Sequence, residues 1–151
     1  VNLGVCYEEG RGVAKDEKEA VSWYRKAAKQ GYPEAQNNLG WCYEEGRGVA
    51  KDEQKAVNWY RKAAEQRYPE AQVNLGVCYE EGKGVAKDER EAMVWYQKAA
   101  EQGNEEAIKR IKGLSMSESF IARNPYTTFH ENTVQRRLND SINYMPLHPN
   151  K

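Results

Sequence analysis

Four groups of residues in this chain have types and spacings that chemistry uses. Adjacent carboxylates stand at Glu8-Glu9, Glu44-Glu45 and Glu80-Glu81, and paired carboxylates hold metals or share acid–base work when both point at one centre. Neighbours on a helix point about 100° apart, and no histidine or further carboxylate is spaced to converge with them, so a solvated acidic edge is expected. Cys6, Cys42 and Cys78 each precede a tyrosine, two residues after a Leu-Gly pair. Helices stacked about 8–10 Å apart hold equivalent Cα atoms beyond the roughly 7 Å reach of a disulfide, so these read as small buried apolar residues. Gly46-Arg47-Gly48 begins like a dinucleotide-binding loop, but Lys51 stands where its third glycine belongs and the run follows a helix rather than a strand. A structural turn is expected there. The only histidines, His130 and His148, lie near the C-terminal end, which leaves Ser22 and the cysteines without a positioned base. Asn139-Asp140-Ser141 fits a glycosylation sequon, which matters only in a secretory compartment. No catalytic, cofactor-binding or metal-binding residue is expected.

These groups recur because the chain itself recurs. Trp59-Tyr60-Arg61-Lys62-Ala63-Ala64 returns at Trp23 and, with Gln97 in place of arginine, at Trp95, a spacing of 36 residues. Leu3-Gly4, Leu39-Gly40 and Leu75-Gly76 precede each copy. A period of this length marks a stack of supersecondary units. In the middle copy Pro33 suits a first helical position, and helix A then runs to Glu45. At 100° steps, Ala35, Leu39, Cys42 and Tyr43 share one face, and Asn37, Trp41 and Glu44 the other. Gly46 and Gly48 close the helix and tighten the loop. Asp52, repeated as Asp16 and Asp88, is expected to cap helix B, which runs to about Gln66 with Trp59 and Tyr60 in the core and Arg61 and Lys62 in solvent. Trp23 and Trp95 take the same structural role, and Gly4, Gly40 and Gly76 permit close helix approach. Arg67 replaces the helix-closing glycine of the outer copies, Gly31 and Gly103, a local weak point.

The expected organisation is an array over residues 1–114, with repeats at 1–34, 35–70 and 71–106 and a capping helix at about 104–114 that turns Lys109 and Arg110 outward. Residues 115–151 form a tail expected to be largely disordered, with a short helix over 132–143. The array holds 19 Lys/Arg against 20 Asp/Glu and the tail 4 against 3, so neither carries a basic footprint for nucleic acid or a polybasic membrane signal. No apolar run approaches the roughly 20 residues that span a bilayer. Val1–Gly10 repeats as Val73–Gly82; the chain therefore enters inside a repeat and reads as a fragment of a longer protein. Unbridged cysteines suit a reducing, cytoplasmic compartment.

The pattern Ala35-x-x-Asn38-Leu39-Gly40-x-x-Tyr43-x-x-Gly46-x-Gly48-Val49-x-x-Asp52-x-x-x-Ala56-x-x-Trp59-Tyr60-x-Lys62-Ala63-Ala64 resembles the Sel1-like repeat, a relative of the tetratricopeptide repeat, over residues 1 to about 112. A tetratricopeptide repeat has a period of 34 and places its Trp before Leu-Gly in helix A; here Trp follows in helix B. The resemblance implies an all-α, right-handed solenoid of helix-turn-helix repeats that serves as an adaptor in protein complexes, without a cofactor. Some cysteine-rich bacterial members are described as penicillin-binding or β-lactamase proteins; those carry paired cysteines in each repeat, and this chain carries one.

The expected partner is a protein or peptide, not nucleic acid or membrane. Residues 1–34 and 37–70 are identical at 27 of 34 positions, and two of the exceptions, Val1 to Asn37 and Val5 to Trp41, sit four apart on the open face of helix A. Trp41, flanked by Val5 and Val77, is an exposed aromatic and a candidate hot spot, or else a ridge residue packed on the next helix A. Asn2, Asn38 and Asn74 form an amide ladder suited to an extended peptide, or else bond within the stack. Non-catalytic scaffolding through helix A is the leading expectation. A secreted repeat protein with β-lactamase or wall-peptide-binding activity, and a structural spacer between further domains, are the alternatives.

Overall fold

The computed structural model describes residues 16–117 and contains, among them, six helices and no strand. The helices are α1 (Glu17–Lys29), α2 (Pro33–Glu45), α3 (Glu53–Glu65), α4 (Pro69–Glu81), α5 (Glu89–Ala100) and α6 (Glu105–Ser115). The helix expected over 132–143 lies outside the described residues, as do Asn2, Gly4 and Val5. No helix among the described residues is long and apolar enough to cross a membrane. The chain divides into two compact units, Val1–Lys112 and Gly113–Lys151. In the described part of the second, the backbone N–H and hydroxyl of Ser117 donate to the Leu114 carbonyl at 3.1 and 2.9 Å.

Local chemistry sets the boundaries in the first unit. Asp16, Asp52 and Asp88 cap α1, α3 and α5; the Asp52 carboxylate accepts from the Lys55 N–H at 3.0 Å, and Asp88 from those of Arg90 and Glu91. Pro33 and Pro69 open α2 and α4, and Gly46 and Gly82 close them in the left-handed region, at φ of 68° and 72°. Asn104 caps α6 by accepting from the Ala107 N–H at 2.9 Å.

The cores straddle the sequence repeats. One cluster joins Ala20, Val21, Tyr24 and Ala28 of α1 to Ala35, Leu39 and Cys42 of α2, and the next joins Ala56, Val57, Tyr60, Ala63 and Ala64 of α3 to Ala71, Leu75 and Cys78 of α4. Within a repeat, helix A meets helix B where an aromatic ring lies on a glycine. A Cβ on Gly40 would stand 2.7 Å from Cδ1 of Tyr60, and one on Gly76 2.5 Å from Cε1 of Tyr96. Each glycine therefore makes room for a specific ring.

Three expectations need correction. The tyrosine of each Trp-Tyr pair, not the tryptophan, is the fully buried one: Tyr24, Tyr60 and Tyr96 are enclosed, while Trp23, Trp59 and Trp95 are half-buried. Trp59 and Trp95 lie against the cluster of the preceding helix pair, with Lys62 and Lys98 over their rings at 4.3 and 4.1 Å. Adjacent residues differ by about 100° on a helix, so only one ring of each pair can enter the core. Second, Arg61 is not simply solvated; it donates to the Tyr79 hydroxyl at 3.0 Å. Third, the first carboxylate of each of the two described Glu-Glu pairs is no free edge. Glu44 accepts from the buried Tyr60 hydroxyl at 2.6 Å and lies 3.6 Å from Lys83. Glu80 accepts from Tyr96 and from Arg110, which turns Arg110 inward rather than outward. A buried hydroxyl needs a partner, and a glutamate on helix A supplies it.

Candidate protein-binding face

Helix A of successive repeats is α2 and then α4, and their side chains at equivalent positions form a row. Asn37, Asn38 and Trp41 on α2, with Asn74 and Val77 on α4, are all half-buried. The structure joins two of them directly, since Asn74 Nδ2 donates to Asn37 Oδ1 at 2.9 Å. The position equivalent to Asn37 is Val73 on α4, which is buried. Asparagine at 37 thus turns an apolar contact position into an amide link between repeats.

Of the two expectations for Trp41, an exposed aromatic or a ridge residue packed on the next helix A, neither holds alone, since the side chain is half-buried. Its indole packs against both core clusters, and the Arg47 guanidinium lies 4.8 Å from its ring centroid. Arg47 is itself held by Glu17, to which its Nε and Nη2 donate at 2.9 and 2.6 Å. The result is an indole fixed at the seam between repeats, partly open to solvent. A cation over an aromatic face contributes about 0.5–1 kcal/mol at exposed sites, so the ring's orientation is set before any partner arrives. Aromatic, guanidinium and amides thus lie on one surface: area from the indole, donors and acceptors from the asparagines.

Two polar features of the stack escape a reading of single helices. Gln36 and Gln72 are buried. The Nε2 of Gln72 donates to the Ala64 carbonyl at 3.2 Å, and its Oε1 accepts from Gln102 at 2.9 Å; Gln36 does the same between Ala28 and Gln66 at 3.2 and 2.8 Å. Each glutamine therefore satisfies a carbonyl at the end of one helix B and ties it to the next. Their signal was repetition itself: a polar residue retained beside Ala35 and Ala71. The tyrosine–glutamate links were readable only as a 16-residue spacing, Glu44 to Tyr60 and Glu80 to Tyr96.

The remaining chemistry is quiet. Cys42 and Cys78 are buried thiols, and burial pushes the Cys78 thiol up to about 12. Among the described residues, no three of His, Cys, Asp and Glu stand close enough to hold a metal ion.

A family model of the Sel1 repeat matches the chain three times, over residues 1–32, 33–68 and 69–104. The second and third matches begin at the prolines that open α2 and α4. No curated protein matches the chain at a significant level. Among solved structures, it is similar to a protective antigen of uropathogenic Escherichia coli strains that displays an SLR fold, at 50% identity and a TM-score of 0.68 over 70% of this chain and 22% of that one. It is similar to a Sel1 repeat protein from Oxalobacter formigenes at 46% identity and 0.69, over 72% and 45%. Against Helicobacter pylori cysteine rich protein B the values are 31% and 0.60, over 62% and 71%. The chain thus spans less than half the length of the first two.

Proposed function

Because the chain belongs to the Sel1 repeat family, all-α solenoids that generally mediate protein–protein interaction, we propose that it is a non-catalytic scaffold that binds a protein or peptide through the helix A face. Trp41 is the anchor, with Asn37, Asn38, Asn74 and Val77 around it. The observation that carries this reading is the position of Trp41: a large aromatic, half-open at the seam of two repeats and held by Arg47. Interface hot spots favour tryptophan and arginine in well-packed surroundings. A side chain already immobilised loses little freedom on binding. In the next repeat the same position is Val77, which gives the face one distinct centre.

The test uses a peptide selected from a display library on the wild-type chain, with affinity measured by calorimetry. Trp41→Ala is expected to weaken binding about 30-fold or more, the roughly 2 kcal/mol of a hot spot, while the helical circular dichroism is retained. A control at the exposed helix B residue Asn58, Asn58→Ala, leaves affinity unchanged. A folded Trp41→Ala protein that binds with full affinity would remove Trp41 from this account.

A further inference from the structure

We propose that the notch between the C-terminal ends of α3 and α5 binds a monoanionic carboxylate carried beside an apolar or aromatic group, with Arg67 as the residue that grips it. The notch encloses about 370 Å³, within the range that suits a small ligand or one to two side chains. Ala64 is buried at its base, the half-buried Trp95 forms a wall, and Glu65, Arg67, Lys98 and Glu101 stand exposed around the rim. The lining also includes Gln72 of α4 and Gln102, and it shares no residue with the Trp41 face.

Arg67 is the unusual member. It sits at φ 64°, alone among the described non-glycine residues in the left-handed region, where the equivalent positions carry Gly31 at 93° and Gly103 at 82°. A side chain there is strained, and strain of this kind gathers at sites that use it. The guanidinium also has no hydrogen-bond or ion-pair partner among the described residues. Arg25, Arg47, Arg61 and Arg110 are all engaged by tyrosine or glutamate. Arg67 thus presents an unpaired five-donor fork at the mouth of a notch, in a conformation that glycine would adopt more easily.

The surrounding charges choose the ligand. Lys98 lies over the Trp95 ring at 4.1 Å, so a ligand cation would find the indole face already covered. Arg67 and Lys98 balance Glu65 and Glu101 around the notch, and the C-terminal ends of two helices oppose each further negative charge, so the two charges of a phosphate cost more than the one of a carboxylate. A carboxylate matches the planar fork of arginine in two parallel hydrogen bonds and carries a single charge. The same notch one repeat earlier has Gly31 in place of Arg67, so the site belongs to this junction alone.

The full chain is titrated with two probes while the Trp95 indole N–H signal is followed by NMR. N-acetylphenylalanine offers a terminal carboxylate, and N-acetylaspartylphenylalaninamide a side-chain carboxylate. At least one is expected to shift the signal saturably with a Kd of about 1 mM, the scale of a weak small-ligand contact. Which one does so identifies the source of the carboxylate. N-acetylphenylalaninamide and phenyl phosphate are expected to bind at least tenfold more weakly. Arg67→Gly should lose binding by tenfold or more while its Tm rises, so that lost binding is not lost folding. Arg67→Gln, which keeps the strained backbone and the reach of the side chain, should lose it too. Equal binding of acid and amide, phenyl phosphate binding as tightly as the acids, undiminished affinity in either variant, or no saturable shift from either acid by about 20 mM would each overturn the proposal.

Discussion

Gly40→Ala decides whether the stack is held by shape or by helix propensity. Gly40 lies inside α2, where alanine is the better helix former by about 1 kcal/mol, so propensity alone predicts a gain. The structure predicts a loss. The new Cβ would stand 2.7 and 2.8 Å from Cδ1 and Cε1 of Tyr60 and 3.1 Å from the Ala56 carbonyl oxygen, against about 3.5–4.0 Å for a favourable carbon contact. The ring must move by roughly an ångström, yet it is 0% exposed and its hydroxyl is tied to Glu44 at 2.6 Å. Overpacking of this kind costs about 1–3 kcal/mol, and weakening a hydrogen bond to a charged group adds up to about 1.5–3 kcal/mol. Less the propensity gain, the net loss is about 2–4 kcal/mol, read as a lowered urea midpoint at unchanged slope. In a Tyr60→Leu background the ring is gone and most of the loss should vanish, a coupling of at least about 1 kcal/mol. A Gly40→Ala protein more stable than wild type, or a loss undiminished in the Tyr60→Leu background, would refute the reasoning.

Gln72→Leu keeps the bulk but removes the donor to the Ala64 carbonyl and the acceptor for Gln102; a loss of about 1–3 kcal/mol is expected by urea unfolding, and a neutral result would contradict the role given to this ladder. Alkali should unfold the array early. The Cys78 thiol is raised by burial from its ordinary 9.0 to about 12, so the folded chain holds that proton more tightly than the unfolded one. Its contribution is complete below pH 9 and is lost as pH climbs towards 12, with a slope of about 1.4 kcal/mol per pH unit. Tyr60 and Tyr96, raised by burial and by their bonds to Glu44 and Glu80, add to the fall above pH 10. Urea midpoints measured from pH 8 to 11 should decline, and a flat profile would contradict the burial of these groups.

What was legible in the sequence was what is local. Pro33, Gly46 and Asp52 each act on the backbone within a few residues, so the ends of α2 and α3 could be read directly from them. The choice between Trp59 and Tyr60 for the core could not, because both are aromatic and adjacent, and the neighbouring helices decide. The deciding residue is Gly40, 20 positions earlier, whose missing side chain admits only the tyrosine ring. Glu44 looked like half of a solvated pair because its partner, Tyr60, lies on another helix. Gln36 and Gln72 next to alanines resemble surface positions; only the stacking of repeats, 30 residues away at Gln66 and Gln102, makes them buried links. Trp41 was legible as the odd residue among repeats, but not its packing under Arg47, which depends on Glu17 of the preceding helix B.

The helix A face is tested most directly by NMR mapping of the wild-type chain bound to a library-selected peptide, following the Trp41 indole N–H and the amide side chains of Asn37, Asn38 and Asn74. The account predicts that the largest shifts fall on these groups and on the Val77 methyls. Shifts confined to α3, α5 or the glycine loops, with the α2 and α4 row unchanged, would contradict it.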